Sequence, residues 1–303
     1  MGNDTYLEIQ GLIRGKSRTI KDPAGRTVKV LEDIHSEEIA DTCQCSVLEV
    51  YIEAMRRGIL PYRYLRNRDS ISIEEQLKLA ESQVAVIGAG GLGGEVILLL
   101  ARIGIGRLIV VDSDAFDETN LNRQALSSRL SLGRSKAEEA AVMVHSINSG
   151  VGVTPYQVRI DSTNARKMLA GSDVVVDALD NVPDRLMLES EAKRMGIPFV
   201  HGALAGFGGQ IMTVFPDDNG LKLLYRDEGM KRVDPESTEA ILGVPTVTPA
   251  LIGSLEVMEV LKIILRRGTV FRNTMVYVDL DIGELNRFTF ESGDSVHEIP
   301  EHE

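Results

Sequence analysis

Tryptophan is absent, and cysteine occurs only at Cys43 and Cys45. Two thiols spaced C-Q-C cannot supply the four ligands of a structural zinc site, so no zinc site is expected and the pair reads as ordinary free thiols. No stretch approaches the roughly 20 apolar residues that a membrane span needs, so no membrane partner is expected. The opening residues MGNDTYLEIQ lack a basic-then-apolar leader. Tyr6 stands where a myristoylation signal carries serine or threonine. The expected location is cytoplasmic. Positive charge is scarce too: 33 Lys and Arg against 45 Asp and Glu leave a formal net charge of -12. That balance disfavours a surface for nucleic acid, but a nucleotide pocket needs only a few donors and is not excluded.

What the chain does have is 28 glycines and 43% apolar residues over 303 positions, enough for one large domain or two small ones. Residues 1–60 form a compositional unit of their own. Arg18–Lys21 and Thr27–Leu31 flank Pro23-Ala24-Gly25-Arg26 and predict a hairpin. Ser46 to Arg57 predicts a helix, with Val47, Leu48, Tyr51, Ile52 and Met55 at spacings of three and four. An arginine-rich stretch and a helix with Ile73, Leu77 and Leu79 lead into an alternation of buried strands and helices. VAVIGAG at 84–90, the helix after it and RLIVVDSD at 107–114 open a doubly wound sheet. Pro155 in Val153–Val158 implies either the start of a strand or an edge strand. MVYVDL and NRFTF flank a DIGE turn as a closing hairpin, and the helix Thr248–Leu265 lies between them and the earlier strands. The fold class is α/β: a Rossmann-like, mostly parallel sheet flanked by helices, with C-terminal antiparallel strands and an extra N-terminal α+β segment. The domains read as 1–60, 61–290 and a flexible acidic tail at 291–303.

The chemistry centres on Gly88-Ala89-Gly90-Gly91-Leu92-Gly93. Gly88 permits a tight turn, Gly90 lets a phosphate reach the backbone, and Gly93 lets the helix pack closely on the sheet. The helix that follows starts with free N–H groups and partial positive charge. Asp112, 22 residues past Gly90 at the end of the next strand, suits a ribose hydroxyl. The glycine motif alone suggests NAD or FAD. The polar sets DETNLNRQ at 117–124 and GRSKAE at 133–138 instead suit three phosphates: Arg123 as a planar clamp and Lys136 as a point charge on the β/γ end. Asp180 follows a strand at its carboxyl end, where ligands bind in such sheets, and is the candidate Mg2+ ligand. Gly91, Asp114 and Asn181 complete the cofactor-binding candidates. Asp173 falls at the opposite edge, Asp177 is left open, and His201 reads as a structural histidine.

In order and at family-like spacing, RYLRN at 63–67, VIGAGGLGG at 86–94, VVDSD at 110–114, NLNRQ at 120–124, GRSKA at 133–137, DALDN at 177–181, GFGGQ at 206–210 and LIGSLEVMEVLK at 251–262 resemble the MoeB/ThiF/HesA family, relatives of ubiquitin-activating enzymes. The likeness covers residues 61–290. It implies ATP and Mg2+ as cofactors, with Gly88, Gly90 and Gly93 along the phosphates, Asp112 on the ribose, Asn120, Arg123, Gln124 and Lys136 around the phosphates, and Asp180 on magnesium. It also implies a homodimer in which Arg66, the second arginine of RYLR, enters the partner subunit's site. The implied catalytic set is Arg66, Arg123, Lys136 and Asp180. The implied reaction is adenylation of the C-terminal carboxylate of a ubiquitin-like sulfur-carrier protein with an exposed tail, releasing pyrophosphate.

The chain departs from the family in two places. Many members carry two C-x-x-C pairs for zinc; here the first stretch reads LKLLYRDEG at 221–229 and the C-terminal region has no cysteine. Packing by Leu221, Leu223 and Leu224 is expected in its place. Several members also use a cysteine in the loop before the LIGS helix, whereas Val233–Pro249 has none and offers only the hydroxyls of Ser237 and Thr238. A thioester on that loop is excluded, which leaves Cys43 or Cys45 as conceivable acceptors. The competing functions are adenylation of a peptide or small-molecule carboxylate, an ATP-dependent enzyme of the same fold acting on a peptide or RNA, an NAD-dependent dehydrogenase, and a non-catalytic nucleotide-binding protein.

Overall fold

A computed structural model describes residues 3–225 and 238–290, so the 291–303 tail and Ser237 lie outside the described residues. The N-terminal unit holds α1 (Asn3–Lys16), β1 (Arg18–Lys21), β2 (Thr27–Leu31), α2 (Asp33–Cys43), α3 (Val47–Arg56) and β3 (Leu60–Pro61). The hairpin closes because Asp22 accepts the Arg26 N–H at 2.8 Å and Gly25 supplies a left-handed φ of 79°. Ser46 caps α3 in a reciprocal box with Glu49. Helices α1 and α2 were not anticipated. Their apolar stripes are thin: Ile9 and Ile13 on the first, Ile39, Ala40 and Cys43 on the second. They are held by packing against each other and α3 rather than by strong periodicity. β2 pairs antiparallel with β1 and parallel with β3. Leu60 and Pro61, on either side of the compositional boundary, thus form one strand.

Next come α4 (Ile73–Glu81), β4 (Gln83–Ile87), α5 (Gly91–Ile103), β5 (Arg107–Val111), α6 (Lys136–Ile147), β6 (Gly152–Tyr156), α7 (Ala165–Met168), β7 (Val174–Asp177), α8 (Val182–Arg194), β8 (Phe199–Ala205), β9 (Gly208–Val214), α9 (Thr238–Leu242), α10 (Val247–Leu265), β10 (Thr274–Asp279) and β11 (Glu284–Thr289). The sheet runs β11-β10-β9-β8-β7-β4-β5-β6. The five strands from β8 to β6 are parallel, and β9, β10 and β11 continue antiparallel from β8. Pro155 lies in β6, the edge strand. Alternation along β4 divides the core: Val84 and Val86 face α5, α6 and α10, while Ala85 and Ile87 face α7 and α8. β5 and β7 flank β4 on opposite sides, so the chain reverses direction there and leaves a crevice at the strands' carboxyl ends. Leu221 is fully buried against the α8 face, with Leu223 and Leu224 beside it.

Helix α10 carries two fully buried glutamates with different fates. Glu259 accepts from Thr213 Oγ1 at 2.6 Å and from the Phe271 N–H at 2.7 Å. Glu256 reaches into the space left by Gly202, and neither of its carboxyl oxygens has a hydrogen-bond partner among the described residues. Burial, with Asp177 adding to it, pushes this carboxyl well above 4.5. The native state therefore keeps a proton that the unfolded chain releases above pH 4.5. Stability from this site is full below that pH and falls as pH rises toward the folded value. Glu256→Met, of similar length and apolar, is expected to raise the melting temperature near pH 8. The gain should grow by about 1.4 kcal/mol per pH unit above the unfolded value until the folded value is reached. Thermal melts near pH 5 and pH 8 measure it; a gain equal at both would show that the carboxyl does not titrate this way.

Candidate active site

The crevice opens as a cavity of about 490 Å³ at the ends of β4, β5 and β7. Its floor is the glycine turn. Gly88 has φ 98°, and a Cβ there would sit 2.5 Å from the Ala178 carbonyl oxygen, so only glycine fits. Gly90 is the N-cap of α5 and no side chain caps the helix, leaving its first N–H groups to face the cavity beside Gly90 and Gly91. Gly93 is placed differently from the expectation that it lines the phosphates. It is absent from the wall, and a Cβ on it would collide with the Gly88 carbonyl. Its part is to let α5 sit close under the turn.

Asp112 and Asp114 are on the wall after β5. Asp112 Oδ2 accepts the Ala89 N–H at 2.7 Å and Oδ1 accepts the Asp114 N–H at 2.8 Å. The carboxylate thereby braces the glycine turn. Burial raises its pKa, and those two N–H groups and Lys136 oppose the rise. Lys136 opens α6 with Ser135 as its cap. Its side chain is only 9% exposed, and Nζ lies 3.2 Å from Asp114 Oδ2 at the cavity. Asn120, Arg123 and Gln124 also face the cavity, from a turn held by Asp117. Arg123 Nη1 donates to the Thr119 carbonyl at 2.7 Å, leaving the rest of the fork available. Gln124 Oε1 is buried without a partner among the described residues, an orphaned polar atom at the edge of a polar cavity. Asp180 and Asn181 stand across from them, after β7. Asn181 caps α8 through the Asp184 N–H at 3.0 Å, and its amide donates to Asp180 Oδ1 at 3.2 Å.

The expected residues therefore meet around one space, with two exceptions: Gly93, as above, and Arg66. Arg66 is exposed and lies off the wall. Asp177 is no ligand candidate: it is fully buried and takes His201 Nδ1 at 2.8 Å and the Leu179 N–H at 3.1 Å. His201 is fully buried inside β8, and burial lowers its pKa although Asp177 opposes that. Burial favours the neutral imidazole, and Nε2 lies against the Tyr225 hydroxyl at 3.1 Å. Asp173 braces the opposite end of the sheet, accepting the Gln83 N–H at 2.8 Å. The thiols are poor acceptors. Cys43 and Cys45 pack among α1, α2 and α3. Burial raises both, Cys45 up to about 11, so little thiolate exists at neutral pH.

Two cations on the wall went unread in the sequence. Arg159, in the stretch after β6, pairs with Asp184 Oδ2 at 2.6 Å. Arg185 is almost fully buried and donates to the Leu179 carbonyl at 3.1 and 2.7 Å, which sets the course of the chain before Asp180. Arg159 lies just past the carboxyl end of β6 and Arg185 in the first turn of the helix that follows β7, and those positions are the available signal. With Arg123 and Lys136, four cationic side chains meet five carboxylates in the cavity wall. Among the described residues no cluster of three or more His, Cys, Asp or Glu side chains could hold a metal by itself. Asp180 alone, exposed beside a phosphate-sized space, instead suits magnesium, which keeps waters and shares phosphate oxygens with one or two carboxylates. No described helix is long and apolar enough to cross a membrane.

Comparison with known proteins matches residues 64–295 to the model of the ThiF family. A curated relative from Haloferax volcanii, named SAMP-activating enzyme E1, is 38% identical over 219 residues, covering 72% of this chain and 80% of its own length. One from Thermus thermophilus, named sulfur carrier protein adenylyltransferase, is 36% identical over 212 residues, covering 68% and 78%. The chain spans about half the length of some other relatives, such as 54% of one from Arabidopsis thaliana that is 32% identical, named adenylyltransferase and sulfurtransferase MOCS3. Among solved structures, that of E. coli MccB with ATP superposes with a TM-score of 0.64 at 19% identity, covering 84% of this chain and 79% of that one.

Proposed function

This chain belongs to the ThiF family, and on that premise we propose that it uses ATP and Mg2+ to adenylate the C-terminal carboxylate of a ubiquitin-like sulfur-carrier protein. The observation that carries the reading is the convergence of the glycine turn, Arg123, Gln124, Lys136 and Asp180 on one cavity. A dinucleotide needs the turn and an acid; it has no use for a clamp, a buried lysine and an exposed carboxylate opposite.

The triphosphate lies along Gly90 and Gly91 with the start of α5 behind it, and Asp112 accepts from a ribose hydroxyl. Gln124 donates through its Nε2 to a phosphate oxygen. Arg123 holds phosphate oxygens two at a time and Lys136 neutralises the β/γ end. When bound through Asp180, magnesium supplies charge neutralisation of the departing phosphates. The carrier's terminal carboxylate, with a pKa near 3.3–3.7, is already ionised and needs no base. Its oxygen bonds to the α-phosphorus, the bond to the bridging oxygen breaks, and pyrophosphate leaves with the electron pair. Rate comes from alignment and charge stabilisation. Arg66 of one subunit completes the other's site in a homodimer. The outer side of α10, with Val247 and Met258 exposed and Leu251 and Leu255 half-buried, supports such pairing. The reading places the protein in the cytoplasm, where ATP is abundant.

The test is exchange of labelled pyrophosphate into ATP with recombinant ubiquitin-like proteins ending in Gly-Gly. Exchange requiring both magnesium and one such carrier is the expected result. Exchange driven only by a short peptide would move the substrate class. Binding of NADH in preference to ATP would remove the reading altogether.

A further inference from the structure

Resting on the reading of Arg66 above, we infer that residues 1–60 are a positioning platform that clamps the segment 63–69 and leaves the Arg66 side chain unpartnered among the described residues. The segment is RYLRNRD. Arg63 Nε reaches Asp33 Oδ1 and Oδ2 at 3.2 and 3.0 Å, and its Nη1 donates to the Ile147 carbonyl at 2.8 Å. Asp33 is itself steadied by the Tyr51 hydroxyl at 2.7 Å. The Tyr64 ring is buried, and its hydroxyl accepts from Asn148 Nδ2 at 2.9 Å. Leu65 packs into the small core formed with β2 and α3. Asn67 Nδ2 donates to Gln76 Oε1 at 3.2 Å.

The far flank is held as firmly. Arg68 Nη1 donates to Asp22 Oδ2 at 2.6 Å, and the Asp22 side chain is only 2% exposed. Asp22 also grips Arg26, whose two Nη atoms donate to both oxygens of Asp69. One buried carboxylate thus ties the hairpin turn to both residues that close the segment. Asp69 takes a positive φ of 80° at that point. Arg66 stands between the two clamps, exposed and without a partner among the described residues. Holding a long cationic side chain at a fixed root reduces the entropy lost when it meets a charged group elsewhere. Asp22, Asp33 and Asp69 are accordingly positioning residues, none of them part of the cavity wall.

The experiment compares full-length D22N, D33N and D69N with R66A in magnesium-dependent pyrophosphate exchange, the probe being the Gly-Gly-ended carrier that supports exchange by the parent protein. Asp69 is 61% exposed, so D69N keeps a readout if D22N folds poorly. R66A is expected to lower kcat about a hundredfold. Each clamp variant is expected to lower kcat about tenfold with the KM for ATP within about twofold of the parent. Added to R66A, each is expected to cost less than about twofold more, because the clamps act only through that arginine. Clamp losses that persist in full on the R66A background overturn the inference, as do unchanged kcat values in all three variants while R66A is slow. Unchanged exchange by R66A itself overturns the reading of Arg66, and the platform with it.

Discussion

Gly93→Ala is expected to cost both fold stability and ATP binding, whereas Gly90→Ala is expected to cost ATP binding alone. Helix propensity points the other way for Gly93. It lies inside α5, where alanine is favoured over glycine by about 1 kcal/mol. Contact geometry decides the matter. A Cβ at 93 would fall inside the Gly88 carbonyl, 2.8 Å from that residue's carbonyl carbon and 3.1 Å from Ala178 Cβ. Gly88 cannot retreat, since its own Cα position packs against the Ala178 carbonyl and its N–H donates to the Val111 carbonyl at 2.8 Å. The helix must therefore lift from the sheet, and overpacking of this kind costs about 1–3 kcal/mol or more. Lifting it also carries away the N–H groups that face the cavity, so nucleotide affinity should fall more than about tenfold. At Gly90 the nearest atom to an added Cβ is Gln124 Nε2 at 3.8 Å, and no positive φ is involved. A methyl group there meets no protein atom closer than that and obstructs only the phosphates. Thermal melts and calorimetric ATP titrations of both variants separate the effects. A Gly93→Ala protein that melts like its parent would show that α5 does not rest on the turn.

The same pair of glycines marks how far residue order carries the fold and where it stops. Strand, glycine turn, helix, strand and acid are local, and their spacing announces β4, α5, β5 and the place of Asp112. The burial of Val84, Ala85, Val86 and Ile87 on alternating faces follows from a continuous apolar run covered on both sides. Spacing could assign Gly93 a packing role but could not say that this role keeps it off the cavity wall. For Arg159 and Arg185 the local sequence offers only their place beyond the end of a parallel strand. They enter the site only once β6 and β7 lie beside β5 and β4. Asp177, Asp180 and Asp184 are indistinguishable by composition. One is sealed under His201, one is exposed, and one is buried beneath Arg159, according to which side of β7 and α8 each faces. Helices α1 and α2 were illegible because two or three apolar residues each suffice when neighbouring helices cover them. The clamp around Arg66 joins residues 22, 26 and 33 to residues 63–69, pairings that charge alone could have made in many other ways.

Asp180→Asn is expected to reduce magnesium-dependent exchange by about a hundredfold to a thousandfold while leaving the melting temperature unchanged. The side chain is exposed, and its one hydrogen bond among the described residues is from the Asn181 amide at 3.2 Å, so little structure depends on its charge. Asparagine keeps the shape and one oxygen but loses the charge that a hard divalent cation prefers. The expected loss corresponds to about 3–4 kcal/mol of transition-state stabilisation, in the range attributed to a Lewis-acid cation on a phosphoryl group. Magnesium titrations should show a higher requirement in the variant, because a weaker ligand demands more free cation to fill the site. Asp184→Asn provides the contrast. That carboxylate is 4% exposed and pairs with Arg159, and its backbone N–H is the one Asn181 caps. Its neutralisation should lower the melting temperature through loss of a buried partner, with a smaller change in the magnesium requirement. Exchange by Asp180→Asn at the parent rate and the parent magnesium midpoint would remove Asp180 from the metal role. Any role for the cation would then fall to the other four acids of the wall, Asp112, Asp114, Asp117 and Asp184.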